Sequence, residues 1–528
     1  MQRATPVEPS PEQPRWLGAL ADSLAEALPR LHNVSAEPLL VELIGALTQA
    51  LADGELEIAL PSAAHRQALL ASPLATEPHG PLVLDGDRLL WRRWQQQRQA
   101  VREALLQRAA QPLAEQAPTG PELKALLVRH GQGLDGQQQA AVSAVLRCPV
   151  VLLEGGPGTG KTSTVSRMLA AVLDHWPACR IQLAAPTGKA AARLRSALGE
   201  GQWPCGTLHR LLESRGDRFG RHSSRPLELD LLVIDEVSML DVPLAGALLK
   251  ALPTHARLVL VGDAAQLPPV GPGSLLRDLQ RHDCRQALGA GAVELRRTYR
   301  NNGAIAQVAA ALRQGSSALE PLLSTLPPGA NLQWLQQTPP RLPELLLARL
   351  RQHQQELQQL AAAGEPAPVL AALERCLVLS PLRRGPWGVM AIHRALLGEL
   401  ALRSPQAWPP GTPVLCPQNL DELGLANGDL GVVMQQQGEL RLLFCPAGEP
   451  LLLHPAQLPA AQPALALTVH KAQGSEADEV WVLLDPAARQ QRPLLYTALT
   501  RARQQAWLIS AGVPTLEPVT HHGGEPER

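Results

Sequence analysis

Gly155-Gly-Pro-Gly-Thr-Gly160-Lys161-Thr162 follows an apolar run, VVLLE (150–154), and precedes a stretch with helical spacing. It matches the pattern GxxxxGK[ST] in the strand–loop–helix context that a phosphate-binding loop requires. Glycines in such a loop let backbone N–H groups surround phosphate oxygens at a helix N-terminus. Lys161 is expected to reach the β- and γ-phosphates, and the Thr162 hydroxyl to bind Mg²⁺. The stretch therefore predicts an α/β domain that binds Mg-ATP.

Two adjacent carboxylates lie about 70 residues further along the chain. LLVIDEVSML (231–240) places Asp235 and Glu236 at the end of an apolar run. Buried neighbouring carboxylates are costly unless a cation and a water use them. We expect Asp235 to hold Mg²⁺ through water and Glu236 to polarise the attacking water. Alone, an Asp-Glu pair also starts helices, but the phosphate loop favours the catalytic interpretation.

Short apolar runs alternate with helical stretches around these motifs. VVLL, IQLAA, LLVID, RLVLVG and AVELR predict five buried parallel strands within 126–315. A second alternation, within 366–512, contains RCLVLSP, ALALTV, EVWVLL and AWLIS. Inside it, 411–460 is dense in Gly/Pro turns and predicts a small β-rich insert. The chain is thus predicted to be α/β, with two parallel-sheet lobes joined by a linker over 316–365.

The flanking regions have different patterns. Residues 16–60 show apolar residues at helical spacing, and PLVLDGDRLLWRRW (81–94) predicts two strands around a DGD turn, followed by a Gln/Arg-rich helix. We therefore expect a mostly helical N-terminal domain over 1–125. The tail, 513–528, is predicted to be disordered.

Composition excludes several classes of protein. The 528 residues include 48 basic and 48 acidic side chains, so any nucleic acid must bind in a local groove rather than on a uniformly basic surface. No run of about 18 apolar residues predicts a membrane span, and the Pro/Glu-rich start does not resemble a secretory signal. Seven scattered cysteines fit reduced thiols and offer no zinc site. We predict a multidomain cytoplasmic protein.

A tyrosine–arginine segment ends each predicted lobe. ELRRTYRNN (294–302) carries Arg300, and LLYTALTRARQQ (494–505) carries Arg501. Hydrolysis between two lobes needs a cation that neutralises transition-state charge, and we choose these two arginines. Gln266, beyond the strand RLVLVG, is placed to sense the γ-phosphate or to orient water. For each of the three, the alternative is an ordinary surface or loop side chain.

Scarce lysines mark two further loops. Only five of the 48 basic side chains are lysines, yet APTGKAAARL (185–194) and TVHKAQGSEADEV (468–480) each carry one after a strand. Such loops suit contacts to a single nucleic-acid strand. GTLHRLL (206–212) is a further candidate, although a lone histidine is more often structural. The residues predicted to contact DNA are Pro186, Thr187, Lys189, Thr207, His209, Thr468, His470, Lys471, Gln473, Gly474 and Glu476.

The ordered motifs GGPGTGKT, APTGKAAARL, VIDEVSML, GDAAQLPPVGPG, TYRN, TVHKAQGSE and YTALTRAR resemble those of superfamily 1 DNA helicases, within which the RecD subunits of exodeoxyribonuclease V (RecBCD) are most similar. The resemblance implies two RecA-like P-loop NTPase lobes, an SH3-like insert, ATP and Mg²⁺ as cofactors, and movement 5′ to 3′ on single-stranded DNA. It also implies an N-terminal domain that docks a RecC-like subunit. Since no nuclease constellation is visible in this sequence, a RecB-like partner is expected to supply that activity.

The resemblance implies individual roles as well. Gln138 is expected to contact adenine, Gln266 to couple ATP to DNA, and Arg300 and Arg501 to act as arginine fingers. His393 stands where the family usually has Asn, so no DNA contact is assigned to it. The implied nucleotide-binding residues are Gln138, Gly155, Gly156, Pro157, Gly158, Thr159, Gly160, Lys161, Thr162 and Ser163.

The predicted function is therefore an ATP-dependent 5′→3′ helicase subunit of a RecBCD-type complex in double-strand-break repair and recombination. Two alternatives remain. One is a stand-alone RecD-like helicase that works without RecB and RecC, a group that usually carries a longer N-terminal region. The other is a structural subunit whose motor is dispensable.

Overall fold

The structure is a computed structural model that describes residues 15–113, 117–199, 202–216, 218–299, 303–315, 319–486, 491–514 and 516. Within these ranges the chain forms an N-terminal unit, two α/β lobes and a β-rich insert. No helix of the described ranges is long and apolar enough to cross a membrane. Most of the tail predicted to be disordered lies outside the described residues.

The N-terminal unit places helices around a three-stranded antiparallel sheet. Its elements are α1 (Arg15–Leu31), α2 (Pro38–Ala52), β1 (Glu57–Ala59), α3 (Ala63–Ala71), α4 (Pro73–Thr76), β2 (Leu82–Asp85), β3 (Arg88–Trp91) and α5 (Arg92–Ala109). The next helix, α6 (Gly120–His130), packs in the core of the first lobe, where Leu126 is buried. The strand order is β1-β3-β2, and β2 and β3 form the hairpin that the sequence predicted. Val101 and Leu105 of α5 pack into the core of the first lobe, which fixes the unit against the lobe.

The first lobe is a six-stranded parallel sheet between two layers of helices. Its elements are α7 (Gly136–Arg147), β4 (Val150–Gly155), α8 (Lys161–His175), β5 (Ile181–Ala185), α9 (Gly188–Leu198), β6 (Cys205–Thr207), α10 (Leu208–Leu211), β7 (Ser214–Arg215), β8 (Arg218–Phe219), β9 (Leu231–Ile234), α11 (Val242–Ala251), β10 (Arg257–Gly262), α12 (Leu275–Leu279), α13 (His282–Leu288) and β11 (Ala292–Leu295). The sheet order is β11-β4-β10-β9-β5-β6. The five predicted strands are present, and β4, β9 and β10 are buried throughout. Strand β6 was missed because Cys-Gly-Thr contains no apolar run.

The second lobe is a five-stranded parallel sheet with an antiparallel insert. Its elements are α14 (Ala304–Arg313), α15 (Leu319–Ser324), β12 (Leu332–Gln336), α16 (Glu344–Ala363), α17 (Pro366–Leu373), β13 (Cys376–Ser380), α18 (Val389–Leu397), β14 (Pro413–Leu415), β15 (Leu430–Gln436), β16 (Glu439–Phe444), β17 (Leu451–Leu453), β18 (Gln462–Pro463), β19 (Leu467–Thr468), β20 (Ala477–Leu484), α19 (Arg492–Leu499) and β21 (Ala502–Ser510). The sheet order is β12-β21-β20-β13-β19, so all four predicted strands belong to one sheet.

The predicted linker over 316–365 is wrong, because most of this segment is part of the second lobe. Strand β12 pairs in parallel with β21, with Leu332 opposite Ala506. Helix α14, placed in the first lobe by the sequence, buries Ile305 and Val308 in the core of the second. The many Gln and Arg residues of α16 hid its apolar face, on which Leu346 is fully buried.

The β-rich insert is a five-stranded antiparallel sheet with strand order β17-β16-β15-β14-β18. It spans 413–463, close to the predicted 411–460, and has a core of its own that includes Trp408 and Phe444. Its other face packs on α16 and α17, where Val432 and Met434 meet Leu357. The likeness of the insert to an SH3 domain stays a prediction.

Candidate nucleotide-binding and DNA-binding cleft

The phosphate loop connects β4 to α8 at the carboxyl end of the first sheet. Gly158 and Gly160 have φ values of 72° and 81°, a left-handed conformation that disfavours other residues. A Cβ atom on Gly160 would lie 2.7 Å from Gln138 Nε2, so the close approach also requires glycine. Lys161 Nζ donates to the carbonyl oxygens of Gly155 (2.7 Å) and Gly156 (3.0 Å). The ammonium group is therefore held against the phosphate loop by two of its carbonyl oxygens.

Gln138 lies at the outer edge of the phosphate loop. It is the third residue of α7, where its side chain and that of Asp135 form a capping box. Its Nε2 donates to Thr159 O at 3.5 Å, and only 4% of the residue is exposed. The Tyr299 hydroxyl donates to Asp135 Oδ2 at 2.9 Å, which brings the first tyrosine–arginine segment to the same edge. Arg300, the next residue, lies outside the described residues.

The two carboxylates follow β9, next to the phosphate loop. Asp235 Oδ1 accepts from Glu236 N at 2.9 Å, and Glu236 has a φ of 54°, a strained value for a residue that is not glycine. Burial raises the pKa of Asp235, and the Glu236 carboxylate raises it further. Lys161 and Arg193 oppose this rise, so the Asp235 carboxyl group lies within the field of two cations. A concentrated negative charge of this kind fits Mg²⁺ held with the Thr162 hydroxyl.

Arg501 reaches across from the second lobe to Gln266 of the first. Its Nη2 donates to Gln266 Oε1 at 3.0 Å, and its other donors meet Ser475 O and Thr497 O. The Arg501 residue is 3% exposed and Gln266 is 9% exposed. Two predicted catalytic side chains from different lobes therefore meet directly.

Tyr496 makes a second bond between the lobes and was not assigned a role from the sequence. Its hydroxyl donates to Asp263 Oδ2 at 2.6 Å, at the end of β10. Burial and the Asp263 carboxylate both raise the pKa of Tyr496, so the phenol stays protonated and remains a donor. The hydroxyl also lies 3.2 Å from the position of a Cβ atom on Gly156. The sequence signals for this residue were the scarcity of tyrosine, two in the chain, and its place in the motif YTALTRAR.

Most of these groups, although not Tyr496 or Asp263, line one cleft of about 2100 Å³ between the lobes. The phosphate loop, the acidic pair and Gln138 line one wall, while Gln473 and Arg501 line the other. The insert contributes Ala426 and Asp429 to the rim. The cleft therefore joins the predicted nucleotide site to residues of the predicted DNA-binding loops.

The first predicted DNA-binding loop lines this cleft and touches the second lobe. Pro186, Thr187 and Lys189 face the cleft at the start of α9, as do Thr207 at the end of β6 and His209 on α10. Lys189 Nζ donates to Ser475 Oγ at 2.6 Å, and burial lowers the pKa of Lys189 to about 8.

Arg193 was missed by the sequence analysis. It lies one helical turn after Lys189 and pairs with Glu476 at 2.6 Å, which joins the two loops. The signal was its (i, i+4) spacing from Lys189 on α9, which places both on one helix face.

Only some residues of the second predicted DNA-binding loop line the cleft. Gln473 and Glu476 line the cleft, although the Glu476 carboxylate pairs with Arg193 and Arg503. Thr468, His470, Lys471 and Gly474 do not line it. Lys471 Nζ donates to Gln462 Oε1 of the insert at 3.1 Å, while Gly474 packs against Thr187.

His393 is buried, and its Nε2 lies 3.1 Å from Ala466 O. Burial lowers the pKa of His393 to about 4, so the ring is neutral and belongs to the core.

Two family profiles match the two lobes. An AAA domain matches residues 138–272, and a UvrD-like helicase C-terminal domain matches residues 463–509. With two parallel-sheet lobes around one nucleotide cleft, these matches define a P-loop helicase.

The chain belongs to the RecD family of helicases. It is 36% identical to the RecBCD enzyme subunit RecD of Mycolicibacterium smegmatis, over 84% of this chain and 82% of that protein. It is also 34% identical to the ATP-dependent RecD2 DNA helicase of Deinococcus radiodurans, over 72% of this chain and 50% of that protein. Among solved structures, the Pif1 helicase from Candida albicans matches with a TM-score of 0.40 at 18% identity, covering 71% of this chain and 94% of that one.

Proposed function

We propose that this chain is an ATP-driven motor that moves 5′→3′ on single-stranded DNA, as the RecD-type subunit of a cytoplasmic helicase–nuclease complex in double-strand-break repair and recombination. The observation that carries the proposal is the contact between Arg501 and Gln266, because it joins the two lobes inside the cleft that the phosphate loop and Lys189 also line. The identity to a RecBCD enzyme subunit supports the assignment to such a complex.

Nucleotide hydrolysis uses the first wall of the cleft. Lys161 binds the β- and γ-phosphates, and the loop N–H groups surround their oxygens. Mg²⁺, when bound, offsets the phosphate charge, and Thr162 and Asp235 are the residues that would hold it. Glu236 orients and polarises the attacking water from its strained position after β9. Arg501, together with Arg300, neutralises the charge that develops on the γ-phosphate.

Coupling to movement follows from the way Arg501 is held. Three of its N–H groups donate to Gln266 and to the backbone oxygens of Ser475 and Thr497. A γ-phosphate competes for the same guanidinium group, so nucleotide binding rearranges the contact between the lobes. Hydrolysis removes this competitor. The lobes thereby alternate between two arrangements, which is what a motor on a strand requires.

We place the DNA strand along the cleft, beside α9 and the rim that the insert contributes. At Gly188 the insert touches α9, because a Cβ atom there would lie 2.6 Å from Ala426 Cβ. Lys189 and Arg193 supply positive charge on the α9 side, and Thr207 and His209 supply polar contacts below it. Backbone phosphates then compete with Ser475 and Glu476 for these cations.

The N-terminal unit is the proposed docking site for a RecC-like subunit, and a RecB-like subunit supplies nuclease activity. The match to the RecD2 helicase favours one second candidate, a motor that works without partners. If a hydrolysis-deficient variant restored repair in cells that lack this chain, a structural role would be favoured instead.

We expect the full chain to form a stable complex with the RecB-like and RecC-like subunits encoded in the same genome. Co-expression followed by size-exclusion chromatography and mass measurement tests this expectation. Co-elution of the three chains in equal amounts supports the subunit assignment. A chain that elutes as a monomer beside a RecB–RecC complex, and separates strands alone, would support the stand-alone helicase.

A further inference from the structure

The segment 266–273, here called the coupling loop, begins at the contact between the two lobes. Gln266 accepts from Arg501, as described above. The next residue, Leu267, donates its N–H to Thr497 Oγ1 at 2.9 Å, and its carbonyl accepts from Gln473 Nε2 at 3.3 Å. The first two residues of the loop are thus bonded to the second lobe at three points.

The coupling loop ends on the N-terminal unit. The turn between α2 and β1, Asp53–Leu56, here called the N-terminal turn, supports its last residues. Gly273 N donates to Gly54 O at 2.9 Å. Gly54 has a φ of +81°, and a Cβ atom on it would lie 3.3 to 3.5 Å from the carbonyl oxygens of Pro269, Val270 and Gly271. Leu56, 4% exposed, fills the space beside Gly273.

The middle of the coupling loop is stiff and faces the cleft. Three of its eight residues are prolines, at 268, 269 and 272, which fix φ and remove backbone freedom. Pro269, Val270 and Gly271 line the cleft, where Val270 is 76% exposed. A stiff segment held at both ends passes a displacement of one end to the other.

Ion pairs reinforce the attachment to the N-terminal turn. Arg277 of α12, just beyond the loop, donates to both carboxylate oxygens of Glu55, at 2.7 and 2.9 Å. Arg98 of α5 bridges Glu57 and Asp278, at 2.7 and 2.6 Å. The α12 end of the loop is therefore held to two elements of the N-terminal unit.

We propose that the N-terminal turn is a positioning element for the coupling loop, and that through it the N-terminal unit sets how ATP hydrolysis is coupled to strand movement. The inference rests on the proposed function, because it assigns a role to the same cleft. Gly54, Glu55 and Leu56 are not among the residues that line the cleft. They act through the loop, at whose other end Gln266 meets Arg501. A partner that binds the N-terminal unit can therefore change how ATP hydrolysis is coupled to strand movement.

Two glycine variants test this role under matched strain. Gly54→Ala places a methyl group against the coupling loop, whereas Gly86→Ala adds the same group at another left-handed glycine, in the β2–β3 hairpin, with nothing within 4 Å. Both variants carry a similar backbone cost. We expect Gly54→Ala to speed amide hydrogen exchange across 266–275 and to lower strand separation per ATP hydrolysed by about fivefold. Gly86→Ala should match the wild type in both measurements.

A charge exchange provides an independent test of the same contact. Glu55→Arg and Arg277→Glu each place like charges opposite one another, and the double variant restores an opposite pair. The single variants are expected to speed exchange across 266–275, and the double variant to return it toward the wild-type rate.

The outcomes separate this inference from the function on which it rests. Identical exchange across 266–275 in Gly54→Ala and Gly86→Ala would overturn the positioning role, as would equal strand separation per ATP in the two. Exchange is measured without DNA or activity. If the wild type separates no strands even with its RecB-like and RecC-like partners, the proposed function fails, while the exchange comparison still decides whether the N-terminal turn holds the loop.

Discussion

Lys161→Gln is expected to lower the kcat of DNA-stimulated ATP hydrolysis by about 10²–10³-fold or more. Nζ of Lys161 lies within 3.0 Å of two carbonyl oxygens of the phosphate loop. Glutamine keeps a similar length and a hydrogen-bond donor but removes the positive charge that the γ-phosphate needs as charge develops. Steady-state ATP hydrolysis with and without single-stranded DNA measures the effect.

The matched control for this variant is Lys250→Gln. Lys250 is exposed near the end of α11 and is one of the five lysines of the chain, so the same chemical change is made away from the cleft. We expect wild-type turnover from the control, and equal melting temperatures for the two variants to within a few degrees. Near-normal hydrolysis by Lys161→Gln would contradict the assignment of the phosphate loop.

The second large effect is expected at the other wall of the cleft. Arg501→Ala should lower kcat by about 10³-fold, the smaller end of the range for arginine fingers. The residue is 3% exposed and its guanidinium group is the one described cation that bonds Gln266 from the second lobe. Nucleotide affinity should fall much less than kcat, because the loop and Lys161 still hold the phosphates. Pre-steady-state hydrolysis and equilibrium binding of a nucleotide analogue separate the two quantities.

Arg501→Lys and Arg394→Ala complete this experiment. The lysine variant keeps the charge but cannot bond Gln266, Ser475 and Thr497 together, so we expect it to recover only part of the activity. Arg394 is exposed on α18 of the same lobe and should be replaceable without loss of turnover. A fall in nucleotide affinity that matches the fall in kcat would contradict a transition-state role for Arg501.

The parts of the fold that the sequence could predict are local. The phosphate loop, the acidic pair and the buried strands each carry their signal within a dozen residues, because a buried parallel strand is a short apolar run. Strand β12 and helix α14 were assigned wrongly for a different reason. The lobe that each of them joins depends on contacts with residues far away in the chain: β12 pairs with β21, and α14 packs in the core of the second lobe. From its composition alone, the segment 316–365 was interpreted as a linker.

The residues of the candidate site also fall into those that local motifs predict and those that depend on distant contacts. Lys161, Asp235 and Glu236 were predicted because their motifs have a spacing that is typical of nucleotide hydrolysis. The contacts of Arg193 with Glu476 and of Gly54 with the coupling loop join segments more than 200 residues apart. Such contacts depend on how the lobes and the N-terminal unit pack, so no local sequence pattern predicts them.

The most direct test of the account measures ATP-dependent strand separation by the full chain on duplexes with either a 5′ or a 3′ single-stranded tail. Lys161→Gln runs in parallel as the inactive motor. We predict that only the 5′-tailed duplex is separated, either by the chain alone or by a complex in which the ATP hydrolysis of its partners is inactivated. Lys161→Gln should separate neither duplex. Separation of only the 3′-tailed duplex, or separation that survives Lys161→Gln, would contradict the proposal that this cleft drives movement 5′→3′.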